Sequence, residues 1–384
     1  MSKVLLLGYS GFPMSKSAAS EKQKLIAKAI SLEPLMNVEI LNNISYNDFK
    51  YDRKGVYEGV KYRLTCLFSK YPDNKIYKLI NLIYGYLNEY LYVLFSRYDY
   101  IIISSRNSSY ILGHIMIAKL RKKKVTLTMV EDYKSLNVSS SRISKIKAKL
   151  YFKYVLKYID GVYPISTLIT EEVVKVNKKM PFLELPIFTN FENFKETIKV
   201  DETNYFLFCG AAGYFDTIKF IIDSYTASPL SSKLILIING NKNQIEKVLS
   251  YINALTSKND IICKSNLSYR NLVGYYKNSR ALLIPLNPDI KDAARFPHKI
   301  AEYCASSRPI ISSNLGEVKK FFEHKRNALL INDHDVIELN RLMKYVEENP
   351  KIADKIGLES YQLGHEKFNY KEYGTKIIEF LKHI

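Results

Sequence analysis

The sequence predicts an α/β protein of two domains, each a parallel sheet wrapped by helices. Three observations carry this reading. The chain has 384 residues, which is two domains' worth at roughly 100–200 residues each. Short apolar runs alternate with helical stretches along most of the chain, the pattern of parallel strands joined by crossover helices. The alternation stops and restarts once, between Leu185 and Asn204, which divides it into two series.

The first series opens with a strand at 4–7 that enters the turn Gly8-Tyr-Ser-Gly11. A helix is expected at 17–32, capped by Ser17 or Ser20, with Leu25, Ile26, Ala29 and Ile30 as its apolar face. A strand follows at 38–41 and a long helical pattern at 74–96. The latter carries Lys78, Asn81, Asn88 and Glu89, which mark a buried or half-buried helix and not a membrane span. Strands at 100–104 and 125–130 flank a helix at 109–120, and a helix at 141–158 leads into a strand at 161–165. The second series places strands at 205–209, 234–238, 261–264, 281–285, 309–312 and 329–331, with helices at 218–225, 269–277 and 298–305 and a helical tail to Ile384. The expected division is a first domain at 1–188, a linker at 189–203, a second domain at 204–365 and a terminal helix at 366–384. Ligands of open α/β sheets bind at the carboxyl ends of the strands, so the cleft between two such domains is the expected site.

Hydrophobic residues make up 47% and charged residues 25%, ordinary values for a globular chain. Cys66, Cys209, Cys263 and Cys304 lie far apart, without metal-ligand spacing, and read as reduced structural residues. The N-terminal apolar run is too short for a signal peptide, so a cytoplasmic location is expected. The net charge of +19 is unevenly spread: residues 1–190 hold 30 Lys and Arg against 15 Asp and Glu. An excess confined to one half points to a surface that meets something anionic. Two features concentrate it. Lys119, Arg121, Lys122, Lys123 and Lys124 form one run, and Arg142, Lys145, Lys149 and Lys153 fall on one stripe of the helix at 141–158. A basic amphipathic helix reads as membrane-surface binding, with a solvated face as the alternative.

The stretch from Ala294 to Gly316 carries the most chemistry. Pro297 suits a helix start. Lys299 and Glu302 are three apart, on one helix face. Arg295 and Lys299 at a helix start make a phosphate site, and Glu302 one turn deeper can accept hydrogen bonds from vicinal sugar hydroxyls.

The run Phe296-Pro-His-Lys-Ile-Ala-Glu-Tyr-Cys-Ala-Ser-Ser-Arg-Pro-Ile-Ile-Ser-Ser resembles the donor-site signature of the retaining family 4 (group 1) glycosyltransferases with the GT-B fold. Residues 160–166, 185–190, 206–210 and 235–240 resemble other segments of that family in the same order. The resemblance implies two Rossmann-like domains facing across a cleft, with a terminal helix returning to the first. It also implies hexosyl transfer, with retention, from a nucleotide sugar and without a metal or other cofactor. The acceptor it implies is a lipid-linked glycan at the inner face of the cell membrane, in bacterial capsule, O-antigen or exopolysaccharide synthesis.

Residue by residue, Glu302 matches the second of the family's two donor-site glutamates, on the nucleotide ribose, while Ala294 stands where the first would be. Lys219 aligns with the family's diphosphate-binding lysine, without its arginine, a role that Arg295 or Lys299 would fill. Gly8 and Gly11 match the Gly-rich loop of the first domain, and Gly210 ends the first strand of the second. Phe296, Pro297 and His298 complete the donor loop. Glu131 and Asp132, at the carboxyl end of a strand, are candidates to orient the acceptor, with helix capping by Asp132 as the alternative. His114, among apolar residues, reads as structural. Other readings are a sugar-nucleotide 2-epimerase, a non-catalytic scaffold of this fold and, remotely, a nucleic-acid-binding protein. The last lacks any recognised motif, so no nucleic-acid partner is expected.

Overall fold

The computed structural model describes residues 2–8, 11–15, 17–46, 51–130, 146, 151–196, 198–256 and 258–384. Two compact units emerge: Met1–Phe188 together with Tyr370–Ile384, and Thr189–Asn369.

The first unit is built on a seven-stranded sheet. Its strands are β1 (Ser2–Gly8), β2 (Met36–Asn42), β3 (Lys54–Tyr57), β4 (Val60–Leu64), β5 (Tyr100–Ser104), β6 (Lys124–Met129) and β7 (Gly161–Pro164), in the order β3-β4-β2-β1-β5-β6-β7. All neighbours are parallel except β3 and β4. Val4 to Leu7 are fully buried, as expected for a central strand covered on both faces. Ser17, and not Ser20, caps the first helix, Ala18–Ser31, and Ser20 is buried. The terminal helix Gly374–His383 buries Ile377 and Leu381 in the same core, and Phe380 meets Tyr163 of β7 edge-on at 5.1 Å.

Strands β3 and β4 go beyond the sequence expectation, which placed no element between 42 and 74. They form a hairpin whose two turn residues, Glu58 (φ 47°) and Gly59 (φ 81°), are both left-handed. That is the turn whose twist matches antiparallel strands. The alternation Val60, Tyr62, Leu64 inward with Lys61 outward was the available signal, over only five residues.

The helix Lys75–Phe95 turns polar residues inward. Its buried residues are Asn81, Gly85, Glu89 and Val93, while its large apolar side chains face outward. The loops after β2 and β4 leave backbone groups that need partners. Asn81 Oδ1 accepts from the Phe68 amide at 2.7 Å, and Asn88 donates to the Thr65 carbonyl at 2.8 Å. Glu89 is fully buried and accepts from the Tyr110 hydroxyl at 2.9 Å and from Asn43 at 3.3 Å. His114 lies beside it, Nε2 to carboxylate 3.5 Å, with Nδ1 2.9 Å from the Tyr110 carbonyl. Its role is structural, as its setting in the sequence suggested.

The second unit has six strands, all parallel: β8 (Tyr205–Ala211), β9 (Lys233–Asn239), β10 (Ile261–Lys264), β11 (Ala281–Ile284), β12 (Ile310–Ser313) and β13 (Leu329–Ile331), in the order β10-β9-β8-β11-β12-β13. This is the doubly wound order, reversing at β8 and β11. Its core includes Phe206, Leu234, Leu236, Leu283 and Ile311. Phe191 and Phe194, in the segment at 189–203, are buried within this unit. The helix Lys242–Asn253 begins with a reciprocal capping box between Asn241 and Gln244, which closes two otherwise unpaired amides.

Candidate active site

At the switch point of the second sheet, the segment after β8 meets the segment after β11. The chain leaves β8 through Ala212 and Gly213 to Tyr214, which opens the helix Phe215–Thr226. Beyond β11, Asp289 caps a short helix, Ile290–Ala294. The carboxylate of Asp292 is almost fully buried. One oxygen accepts from the Asn287 amide at 2.8 Å, and the other lies 2.8 Å from Arg295 Nε. Arg295 Nη1 donates to the Tyr214 hydroxyl at 2.9 Å. A buried acid and a tyrosine thus fix the guanidinium, the planar cation best suited to a phosphate. Phe in place of Tyr214 keeps the ring but removes this hydrogen bond, whose net worth is about 1 kcal/mol. Tyr214→Phe is therefore expected to weaken nucleotide-sugar binding by roughly fivefold, measured by calorimetric titration.

A second pair stands on the helix Lys299–Ala305. Lys299 Nζ lies 2.8 Å from Glu302 Oε2, which also takes the Tyr276 hydroxyl at 3.3 Å. Tyr276 and Tyr303 are fully buried, and Tyr303 accepts from the Cys209 amide near the end of β8 at 3.0 Å. Burial pushes both phenols well above their ordinary pKa, so both stay neutral. Burial also pushes up the Cys209 thiol. Cys66, Cys209 and Cys304 are free and buried, and Cys263 is free and half-buried. The helix starts at Lys299, so Pro297 and His298 form the turn before it, with Ile300 N bonded to Pro297 O at 3.1 Å.

The structure brings Arg295 to Tyr214 and Lys299 to Glu302, but it gives other predicted residues different work. Lys219 is bound to Asp223 at 2.5 Å, one turn further along its own helix, and lies 5.0 Å from the Tyr251 ring centre. The hydrogen bond to Asp223 raises its pKa. The Phe296 side chain is buried between Phe321 and Phe368, so it packs the core and offers a ligand no exposed ring. Ala294 is fully buried. Gly210, within β8, is tight against the Phe208 ring. Gly8 and Gly11 have positive φ, and a Cβ at Gly8 would sit 2.0 Å from the Ser104 carbonyl oxygen. Local packing therefore already requires glycine there. Glu131 and Asp132 lie outside the described residues, as do Arg142, Lys145 and Lys149.

Of the basic run, Arg121, Lys122 and Lys124 are exposed, as is Lys153. Two of its members need correction. Lys119 is neutralised by Asp160 at 2.5 Å. Lys123 is buried and donates to the Ser96 carbonyl at 2.7 Å, satisfying the end of a helix. Among the described residues, no group of three or more His, Cys, Asp or Glu is placed to hold a metal. Sequence reasoning missed Tyr214, Asp292 and Tyr276. Asp292, three residues before Arg295, was the one with a readable spacing.

Residues 189–363 match the family of glycosyl transferases group 1. The second unit is a group 1 glycosyltransferase domain. The chain carrying it is an enzyme of the hexosyl-transferring class. No curated protein sequence matches it. Among solved structures, the glycosyltransferase is similar to sucrose-phosphate synthase (tll1590) from Thermosynechococcus elongatus, at 14% identity and a TM-score of 0.79, over 100% of this chain and 99% of that one. It is similar to Anabaena Alr3699/HepE in complex with UDP-glucose, at 12% identity and a TM-score of 0.73, over 100% of both chains. It is also similar to the lipopolysaccharide outer core galactosyltransferase WaaB, at 16% identity and a TM-score of 0.61, over 98% of this chain and 99% of that one. These likenesses establish the GT-B fold with its two Rossmann-like parallel-sheet domains.

Proposed function

We propose that this glycosyltransferase moves a hexosyl group, with retention, from a nucleotide sugar to a lipid-linked glycan acceptor at the inner face of the cell membrane. The setting is synthesis of a bacterial surface polysaccharide: capsule, O-antigen or exopolysaccharide. The observation that carries the donor reading is the pair of anchored cations, Arg295 and Lys299, at the switch point of a group 1 domain, with Glu302 beside them. Two cations match a diphosphate, and a carboxylate matches the vicinal hydroxyls of a ribose. The Anabaena relative is described in complex with UDP-glucose. The name of WaaB, a galactosyltransferase of the lipopolysaccharide outer core, supports a surface-glycan setting.

In the reaction, the bond from the anomeric carbon to the donor phosphate breaks, and a bond from that carbon to the acceptor oxygen forms on the same face. The acceptor's proton passes to the departing phosphate. Arg295 and Lys299 stabilise the charge that grows on this leaving group. His298 donates to a donor oxygen, Pro297 shapes the turn that presents it, and Glu131 and Asp132 orient the acceptor. Ala294 leaves the sugar without a carboxylate partner at that place, so its hydroxyls are recognised by other groups.

The test is a thermal-shift and turnover screen against UDP-, GDP- and ADP-sugars, with and without a chelator. One donor class is expected to raise the melting temperature by mass action and to give a product heavier by one sugar, of unchanged anomeric configuration, in both conditions. Absence of binding and turnover with every donor would overturn the reading. A converted donor of unchanged mass would replace it with epimerisation, and loss of turnover in chelator would overturn metal independence.

A further inference from the structure

We propose that the outward face of the helix Lys75–Phe95 is a bilayer-docking surface, which lies flat in the boundary between headgroups and acyl chains of an anionic leaflet. This deepens the membrane-side reading above and rests on it. It places a docking face on a helix other than that of the basic stripe expected at 141–158, most of which lies outside the described residues.

The first support is the inverted polarity. Ile76, Leu79, Ile83, Leu87, Leu91 and Phe95 follow one another at intervals of three or four, forming one stripe along the whole helix, and each is 50% to 72% exposed. Tyr77 and Tyr84 are exposed too, and tyrosine suits the membrane interface. The helix has 21 residues, a length of about 31 Å. An apolar stripe of that length on an otherwise soluble scaffold marks an interaction site. The neighbouring helix Ser108–Leu120 adds exposed Met116 and Leu120. Among the described residues, no helix is long and apolar enough to cross a membrane, and a surface-lying helix does not need to be.

The second support is charge. Lys123 Nζ donates to the Val93 and Ser96 carbonyls, which fixes the basic run at the C-terminal end of the stripe. There Arg97, Arg121, Lys122 and Lys124 are exposed. At the other end, exposed Lys70 and Lys75 and half-buried Lys78 outnumber Asp73. Both ends are therefore basic. Two copies of this chain, paired antiparallel through the stripe, would set cations against cations. Anionic headgroups complement both ends at once. The N-terminal half of the helix is also fastened, through Asn81, to Ser45 and Phe68 beyond the carboxyl ends of β2 and β4. That is the sheet edge where ligands bind in such folds, so an acceptor held in the leaflet would be presented near it.

The experiment is sedimentation of the full chain with extruded vesicles of phosphatidylcholine alone or mixed with phosphatidylglycerol. The unmodified chain is expected to bind the mixed vesicles and to bind phosphatidylcholine alone more weakly. Leu79→Ser, Ile83→Ser and Leu87→Ser together are expected to reduce binding at least roughly tenfold, while Arg121→Glu with Lys122→Glu removes the preference for the anionic lipid. Both variants keep the donor-induced thermal shift, which shows that they fold. The proposal is overturned if the unmodified chain ignores both vesicles, or if the triple-serine variant binds as well as the unmodified chain. It is also overturned if size-exclusion chromatography shows a dimer that the serines break. Vesicle binding without transfer to a lipid-linked acceptor would overturn the acceptor reading and leave this surface standing.

Discussion

Lys299→Ala is expected to weaken nucleotide-sugar binding by about 2 kcal/mol, roughly thirtyfold in dissociation constant. The argument has two parts. The ammonium supplies a charge-assisted hydrogen bond to a donor phosphate, an interaction of about 1.5–3 kcal/mol. It also sits 2.8 Å from Glu302, and its loss leaves that carboxylate without its cation where an anionic donor must enter. Lys299→Arg restores charge but not shape, so partial recovery is expected. Isothermal titration with the donor found by screening measures all three proteins. Unchanged affinity in Lys299→Ala would assign phosphate recognition to Arg295 alone and remove Lys299 from the site.

Gly8→Ala is expected to destabilise the first unit selectively. Gly8 has φ 132°, and a Cβ there would lie 2.0 Å from the Ser104 backbone oxygen. The blocking atom is backbone, and it belongs to β5, paired with β1 through this same residue. Neither strand can yield without losing register. Conformational strain of this kind costs about 1–3 kcal/mol by itself, and the clash brings the total to about 3 kcal/mol or more. For a unit of this size that lowers the melting temperature by about 6–12 °C. Each unit has its own core, so calorimetry is expected to show the first unit's transition moving while the second stays. An unmoved transition would mean that the β1–β5 edge relaxes without cost.

The strands of both sheets were readable because their interiors are continuous apolar runs, as in Val4 to Leu7 and Leu234 to Ile238, bounded by Gly or Asn. The hairpin at β3 and β4 was not, because β3 is largely exposed and its turn is Glu-Gly, without the Asn-Gly signal. In the site, Lys299 and Glu302 were legible from helical spacing. Tyr214 was not, since its partner Arg295 is 81 positions away, and only the fold brings the segments after β8 and β11 together. The helix Lys75–Phe95 was recognised as a helix, but not for what it faces. Its polar residues marked it as half-buried, and Asn81 and Glu89 are indeed on the buried side, but the sequence did not show that the apolar stripe faces outward. The residues that hold it are Asn81, Asn88 and Glu89, whose partners are loop backbone and distant side chains.

The terminal segment Tyr370–Ile384 belongs to the first unit, where Ile377 and Leu381 close its core and Gly374 lies against the Ala29 carbonyl. The order in which a ribosome releases the chain is therefore not the order in which the units are completed. Thr189–Asn369 is continuous and has all its residues before Tyr370–Ile384 are made. The first unit must wait for Tyr370–Ile384, its sheet lacking one covering helix until those residues emerge. The second unit is thus the first to have all its residues present, the reverse of the usual order for consecutive domains.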